Sequence, residues 1–149
     1  MRRLALTMLL LPLACAYGAA KDETVAELKA RFESARPEDR PELGIRIAQH
    51  QLRNADTLYG NSNVGQARAA VDDIVTYSEK ARDGAIQTKK HLKNVEIDIR
   101  KIAEKLRDIK RTLAFEDQPP VEQAIRRLED IRTTLLKEMF ANDNKKEKK

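Results

Sequence analysis

Few residues in this sequence have the types and spacing that catalysis or metal binding requires. The two histidines, His50 and His91, each lack a His, Asp or Glu partner at a recognised metal-ligand spacing. Asp72 and Asp73 could form an acid–base pair, but that chemistry needs desolvated carboxylates in a cleft, and the apolar pattern places both on a helix exterior. The sequence therefore predicts a protein that is not an enzyme, with no catalytic, metal-binding or cofactor-binding residue and no cofactor.

Lysine and arginine side chains offer a different chemistry, the binding of polyanions. The most basic stretch contains TKKHLK and RKIAEKLRDIKR, and the chain ends in DNKKEKK. Anionic lipid, lipopolysaccharide or a cell-wall polymer could contact these residues, whereas nucleic acid is disfavoured because the stacking aromatics of single-strand binders are missing. The predicted polyanion contacts are Lys89, Lys90, Lys93, Lys145, Lys146, Lys148 and Lys149.

An alternative interpretation pairs the basic stretch with the last helix of the chain. Residues 89–111 hold nine basic and four acidic residues, whereas residues 113–142 hold four basic and six acidic ones. Opposite net charges on neighbouring helices are typical of antiparallel coiled coils. On this interpretation the basic side chains stabilise the fold instead of binding a partner.

The first twenty residues have the pattern of a secretory signal peptide. Two arginines precede an apolar run at residues 4–14, and small residues lead to a cleavage site between Ala20 and Lys21. The run is shorter than the roughly 20 residues that span a bilayer, so no transmembrane anchor is expected in the mature chain. A lipoprotein anchored at Cys15 is the less favoured alternative, because the preceding residues fit its small-residue pattern poorly. We expect an exported protein, periplasmic or secreted.

The rest of the chain predicts one all-α domain at residues 21–142, followed by a disordered basic tail at 143–149. A composition of 41% hydrophobic and 36% charged residues without Trp indicates a helix-rich protein with an aliphatic core. Capping residues and prolines mark where helices begin and end. The predicted helices lie at about 24–35, 40–59, 64–114 and 120–141.

The long central helix is predicted from a heptad pattern. Every seventh residue from Val64 to Leu113 is apolar or small, and a companion series runs alongside it. The pattern keeps its phase across Gly84, so we expect one helix about 75 Å long. Antiparallel helices at 40–59 and 120–141 would flank it in an elongated bundle or coiled coil. Small residues around Gly84 indicate either that another backbone approaches closely or that the helix is locally weak. The alternative architecture is a four-helix bundle broken near Gly84.

These observations support two hypotheses for function. The first is an exported, non-enzymatic structural or protein-interaction protein whose partner is another protein or a second copy of itself. The second is an envelope-binding module that uses the basic helix and the Lys-rich tail on anionic lipid or cell-wall polymer.

Overall fold

The computed structural model describes residues 23–146, and for residues 142–146 it describes the backbone alone. This part of the chain is all-α and contains no strand, which confirms the predicted class. A short 3₁₀ turn at Phe115–Asp117 precedes the last helix. The helices are α1 (Val25–Ser34), α2 (Arg40–Gly60), α3 (Val64–Thr88), α4 (Leu92–Thr112) and α5 (Gln118–Lys146).

The structure corrects the predicted central helix, because the chain turns at residues 89–91 between α3 and α4. Lys89 and His91 adopt left-handed backbone conformations, with φ of 56° and 63°. Left-handed residues end a right-handed helix and let the chain reverse. The heptad phase survives the turn because α3 and α4 bury their apolar residues in the same core. The periodicity thus reports which residues are buried, and it does not require two successive helices to be collinear.

The helices α2 to α5 form two antiparallel hairpins, α2–α3 and α4–α5, which pack side by side. α3 lies beside α5 and runs parallel to it, as shown by one ion pair near the start of both helices and another near the end of both. α4 and α5 run antiparallel, since their ion pairs join the end of α4 to the start of α5, and the start of α4 to a later part of α5. This is the four-helix bundle of the alternative prediction, with its break at residues 89–91. The ion pairs that give these directions are Arg68–Asp117, Lys89–Glu138, Lys110–Glu122 and Arg132–Glu96.

One aliphatic core runs through the bundle, and α1 covers the outside of α2 and α3. The core includes Ile74, Ile99 and Leu106, which are all fully buried. These side chains are aliphatic, as the composition without Trp predicts. α1 adds a smaller cluster in which the ring of Phe32 meets Tyr77 edge-on, with centroids 5.5 Å apart. A capping box formed by Thr24 and Glu27 begins α1.

Gly84 lies inside α3, where α2 and α3 approach each other closely. A Cβ atom at Gly84 would lie 3.2 Å from Cγ of Pro41. A Cβ atom at Gly44 would lie 2.9 Å from the carbonyl oxygen of Tyr77 and 3.1 Å from Cβ of Ala81. Of the two explanations for the small residues around Gly84, the structure has the close approach of another helix, and α3 does not break there.

The helix α5 continues to Lys146, beyond its predicted end near residue 141. Residues 143–146 of the predicted disordered tail therefore have helical backbone, and Lys148 and Lys149 lie outside the described residues. The predicted signal peptide at residues 1–20, with its cleavage site at Ala20 and Lys21, also lies outside them, as does Cys15. Within residues 23–146, no helix is long and apolar enough to cross a membrane.

Candidate functional site at the basic end of the bundle

The α3–α4 turn and the C-terminal part of α5 lie at one end of the bundle. Nζ of Lys89 donates a hydrogen bond of 2.8 Å to Oε2 of Glu138, which joins the turn to α5. Lys145 and Lys146 follow Glu138 by about two helical turns, or about 10 Å of helix. The predicted polyanion contacts within the described residues, Lys89, Lys90, Lys93, Lys145 and Lys146, are thus brought to the same end although they are distant in sequence. We call residues 89–93 and 137–146 the basic end.

Two lysines of the basic end are available to an external anion. Lys90 and Lys93 are exposed, and neither forms an ion pair with any residue in the described range. Lys89 does form an ion pair, but its side chain is 52% exposed. Exposed pairs contribute little to stability, so this lysine can exchange its partner at small cost.

The second part of the predicted patch, RKIAEKLRDIKR, is largely engaged within the fold. Arg107 donates to Glu129 of α5, and Nζ of Lys110 lies 3.8 Å from Oε2 of Glu122, also on α5. Lys105 forms a pair of 3.6 Å with Asp56 of α2. The predicted pairing of the basic stretch with the acidic last helix is therefore present at Arg107 and Lys110. It also includes Lys89, which pairs with Glu138, and it leaves Lys90, Lys93, Arg100 and Lys101 exposed without an ion pair in the described part of the chain.

A partly buried ion cluster between α4 and α5 was missed by the sequence reasoning. Nε and Nη2 of Arg132 donate to Oε1 of Glu96 at 2.9 and 2.8 Å, and Nη1 donates to Oε2 of Glu129 at 2.8 Å. Burial acts against the charged form of Arg132, but its hydrogen bonds and the charges of both carboxylates outweigh burial and raise its pKa. Glu96 is only 8% exposed, and it directly follows the apolar seam residue Val95. The cluster fastens α4 to α5.

The carboxylates considered for acid–base chemistry have separate environments. Asp72 is exposed, as its position on a helix exterior predicted. Asp73 is half-buried, and its Oδ2 atom accepts hydrogen bonds from Nζ of Lys29 and Nε2 of Gln51, both at 2.5 Å. Asp73 thereby links α3 to α1 and α2, which is a structural role.

A groove of about 410 Å³ lies between α2 and the start of α4. Its lining mixes acidic, basic and amide side chains, including Glu42, Arg46 and Asp98, with the exposed His91 at its edge. His50 lies on α2, away from His91 in sequence and outside this lining. Among residues 23–146, no group of three or more His, Cys, Asp or Glu residues could hold a metal ion.

Two phenylalanines are the large apolar side chains that stand exposed in the described part of the chain. Phe140 is 66% exposed and belongs to the basic end. Phe115 is 85% exposed and lies in the 3₁₀ turn at the opposite end. Sequence reasoning missed Phe140, although it directly follows Met139, an apolar residue that packs partly against the core. The basic end thus combines free lysines with an exposed aromatic ring.

The class of protein defined by this structure is a four-helix bundle with one additional helix on its outside. No protein-family model, curated protein or solved structure matches the chain.

Proposed function

We propose that the protein is an exported, non-enzymatic helical binding protein, and that its basic end binds an anionic component of the cell envelope. The observation that supports this proposal most directly is the gathering of Lys89, Lys90, Lys93 and the end of α5 at one end of the bundle. Lys90 and Lys93 neutralise no carboxylate in the described part of the fold, so a polyanion can bind them without first breaking an internal pair. Export rests on the signal pattern of residues 1–20.

The position of the lysines distinguishes this proposal from general stickiness of a basic protein. Electrostatic attraction at a surface falls off within about 10 Å at moderate salt, so only charges near the docking surface contribute strongly. Lys90 and Lys93 lie at the basic end, whereas Arg100 and Lys101 are exposed near the middle of α4. The two pairs carry the same charge and differ in place.

The test measures binding of the purified protein to heparin, as a model anionic polymer, and to vesicles of phosphatidylglycerol and phosphatidylcholine. Replacing both lysines in the variant K90Q/K93Q should weaken binding about 30-fold, because each lysine near an anionic surface contributes about 1 kcal/mol. The matched variant R100Q/K101Q should bind like the original protein. Wild-type binding should also weaken as salt is added.

Two results would contradict the proposal. One is the absence of binding to both heparin and anionic vesicles at low salt. The other is an equal loss in K90Q/K93Q and R100Q/K101Q, which would mean that net charge and not the basic end governs binding. In either case the hypothesis of a protein partner, another protein or a second copy of the chain, would become the better one.

A further inference from the structure

We infer that the basic end docks on a bilayer containing anionic lipid, and that Phe140 enters the interface between headgroups and acyl chains. The inference rests on the proposed function, because both place the anion at the basic end. It goes further by naming a lipid surface as the source of the anion. An anionic polymer and a lipid bilayer both offer negative charge, but only the bilayer has an apolar layer beneath that charge.

Phe140 is the residue that favours the bilayer. Its neighbours Leu135 and Met139 pack into the core, fully and partly, whereas the ring of Phe140 is 66% exposed to water. Moving an exposed aromatic ring from water into an apolar environment lowers the free energy. A bilayer interface accepts such a ring, whereas a hydrated polymer such as heparin does not.

Exposed lysines lie on both segments of the basic end. Lys137 is exposed on α5, three residues before Phe140 and therefore on a neighbouring part of the same helix face. Lys90 and Lys93 lie at the adjacent turn, which Lys89 ties to α5. Lysines that contact headgroups around an aromatic ring that enters the layer below are typical of interfacial membrane anchors.

Acidic residues at this end do not cancel the lysines. Several of them are already held by basic partners of the same fold, so that each such pair is neutral to an approaching surface. The pairs are Glu138 with Lys89, Asp39 with Arg36 and Asp83 with Arg82. Glu38 and Glu42 at the start of α2 are exposed and form no ion pair within the described residues. The exposed and unpaired Lys90, Lys93 and Lys137 outnumber them.

Neither feature is sufficient for stable binding by itself. A lysine near an anionic bilayer strengthens binding about fivefold, and one partly inserted ring adds about tenfold. The two effects multiply only if the same surface receives both. Binding to vesicles should therefore depend on the lysines and on Phe140 together, whereas binding to heparin should depend on the lysines alone.

The first experiment measures sedimentation of the purified protein with vesicles of phosphatidylglycerol and phosphatidylcholine, and with phosphatidylcholine alone. The variant F140A should bind the anionic vesicles about tenfold more weakly, and its binding to heparin should not change. The matched variant F115A removes the exposed phenylalanine of the opposite end and should bind like the original protein. Vesicles of phosphatidylcholine alone should bind none of the variants.

The second experiment uses the absence of tryptophan from the chain. In the variant F140W the new indole is the single tryptophan, and its emission should shift to the blue when anionic vesicles are added. It should be quenched by brominated acyl chains, and neither change should occur with heparin. The variant F115W should show no shift, which controls for general adsorption.

The outcomes distinguish docking on a bilayer from the proposed binding of anions by the basic end. If F140A binds vesicles as well as the original protein while K90Q/K93Q does not, the lipid inference is wrong and anion binding by the basic end remains. If F140W and F115W shift equally, the docking surface is wrong. If the unmodified protein binds neither vesicles nor heparin, the proposed function fails together with the inference.

Discussion

Gly44 and Gly84 lie where α2 and α3 pack closely, and a larger side chain would contact the neighbouring helix. The atom that an added Cβ would meet, and its distance, differ between the two positions. At Gly44 the nearest atom is the backbone carbonyl oxygen of Tyr77 at 2.9 Å, whereas at Gly84 it is Cγ of the Pro41 ring at 3.2 Å. A backbone atom of a packed helix yields less readily than the ring of a proline in a first turn. The two glycines are therefore not equivalent, although both lie within helices.

We expect Gly44→Ala to lower the free energy of unfolding by about 1–3 kcal/mol, because the added methyl group overpacks the α2–α3 contact. Gly84→Ala should be nearly neutral, since a helix-propensity gain of about 1 kcal/mol offsets the tighter contact. Gly65→Ala is the matched control, because no atom lies within 4 Å of its Cβ position. Urea unfolding measures all three variants. A Gly44→Ala protein as stable as the original would show that the helices are farther apart.

Tyr59 carries a hydroxyl group that is buried without a hydrogen-bond partner in the described part of the chain. Burial raises the pKa of this hydroxyl above its ordinary value, with nearby acidic residues adding to the rise and Arg68 opposing it. Because the folded state holds the proton more tightly, this contribution to stability is complete below the unfolded pKa of about 10 and is lost as pH rises above it.

Replacing this side chain tests both statements. Tyr59→Phe should raise the free energy of unfolding by about 1 kcal/mol at neutral pH, since it removes an unsatisfied buried group. The variant should also lose less stability than the original protein between neutral and strongly alkaline pH. Urea unfolding at several pH values measures both effects. A destabilised variant would show that the hydroxyl has a partner in solution.

The helices α1 and α2 and the start of α5 could be predicted from the sequence, whereas the turn between α3 and α4 could not. The capping box, the prolines and the apolar periodicity placed α1, α2 and the start of α5 correctly, because these are local signals. The turn at residues 89–91 has no such signal, since it contains neither glycine nor proline and does not disturb the heptad phase. The chain reverses there because tertiary packing of the two hairpins outweighs the preference of Lys89 and His91 for right-handed backbone.

The sign of one stability change tests this turn. At a left-handed His91, the variant His91→Gly should raise the free energy of unfolding by about 1 kcal/mol, because glycine adopts positive φ without steric cost. In a continuous helix the same change should lower it by about 1 kcal/mol. The matched variant Lys101→Gly, in the middle of α4, should be destabilised in either case. Thermal or urea unfolding of the two variants decides between the architectures.

The ion cluster of Glu96, Arg132 and Glu129 should also act at this scale, as the fastening between α4 and α5. We expect Glu96→Ala to lower the free energy of unfolding by roughly 2 kcal/mol, less than for a fully buried pair, because Arg132 retains some solvent contact. Glu122→Gln breaks only exposed pairs and should have no measurable effect. Equal losses in the two variants would argue against the cluster.

For the whole molecule, folding back at residues 89–91 replaces an elongated rod by a bundle of about half that length. The basic end is a result of the same turn, since a continuous helix would carry Lys89, Lys90 and Lys93 near the middle of a rod and not at an end of the molecule. The sequence identified these lysines, but it could not place them at one end of a bundle together with Phe140. That arrangement depends on the directions of the four helices, which are set by side-chain packing across the core.

Small-angle X-ray scattering tests the overall shape. A compact protein of this size should have a radius of gyration of about 15 Å. A rod of about 75 Å would give about 22 Å. A value near the larger figure, at concentrations where the protein is monomeric, would restore the elongated architecture.

The connection at residues 89–91 is also the single covalent joint between the two hairpins. A protease cut there would leave two fragments, each a complete helical hairpin, held together by the shared aliphatic core. Such a nicked protein should stay assembled under native conditions and come apart in denaturant. The two hairpins, produced as separate chains, should likewise find each other and complement one another. A surface that binds the lysines of this joint would shield it from cleavage, so that docking and resistance to proteolysis should rise together.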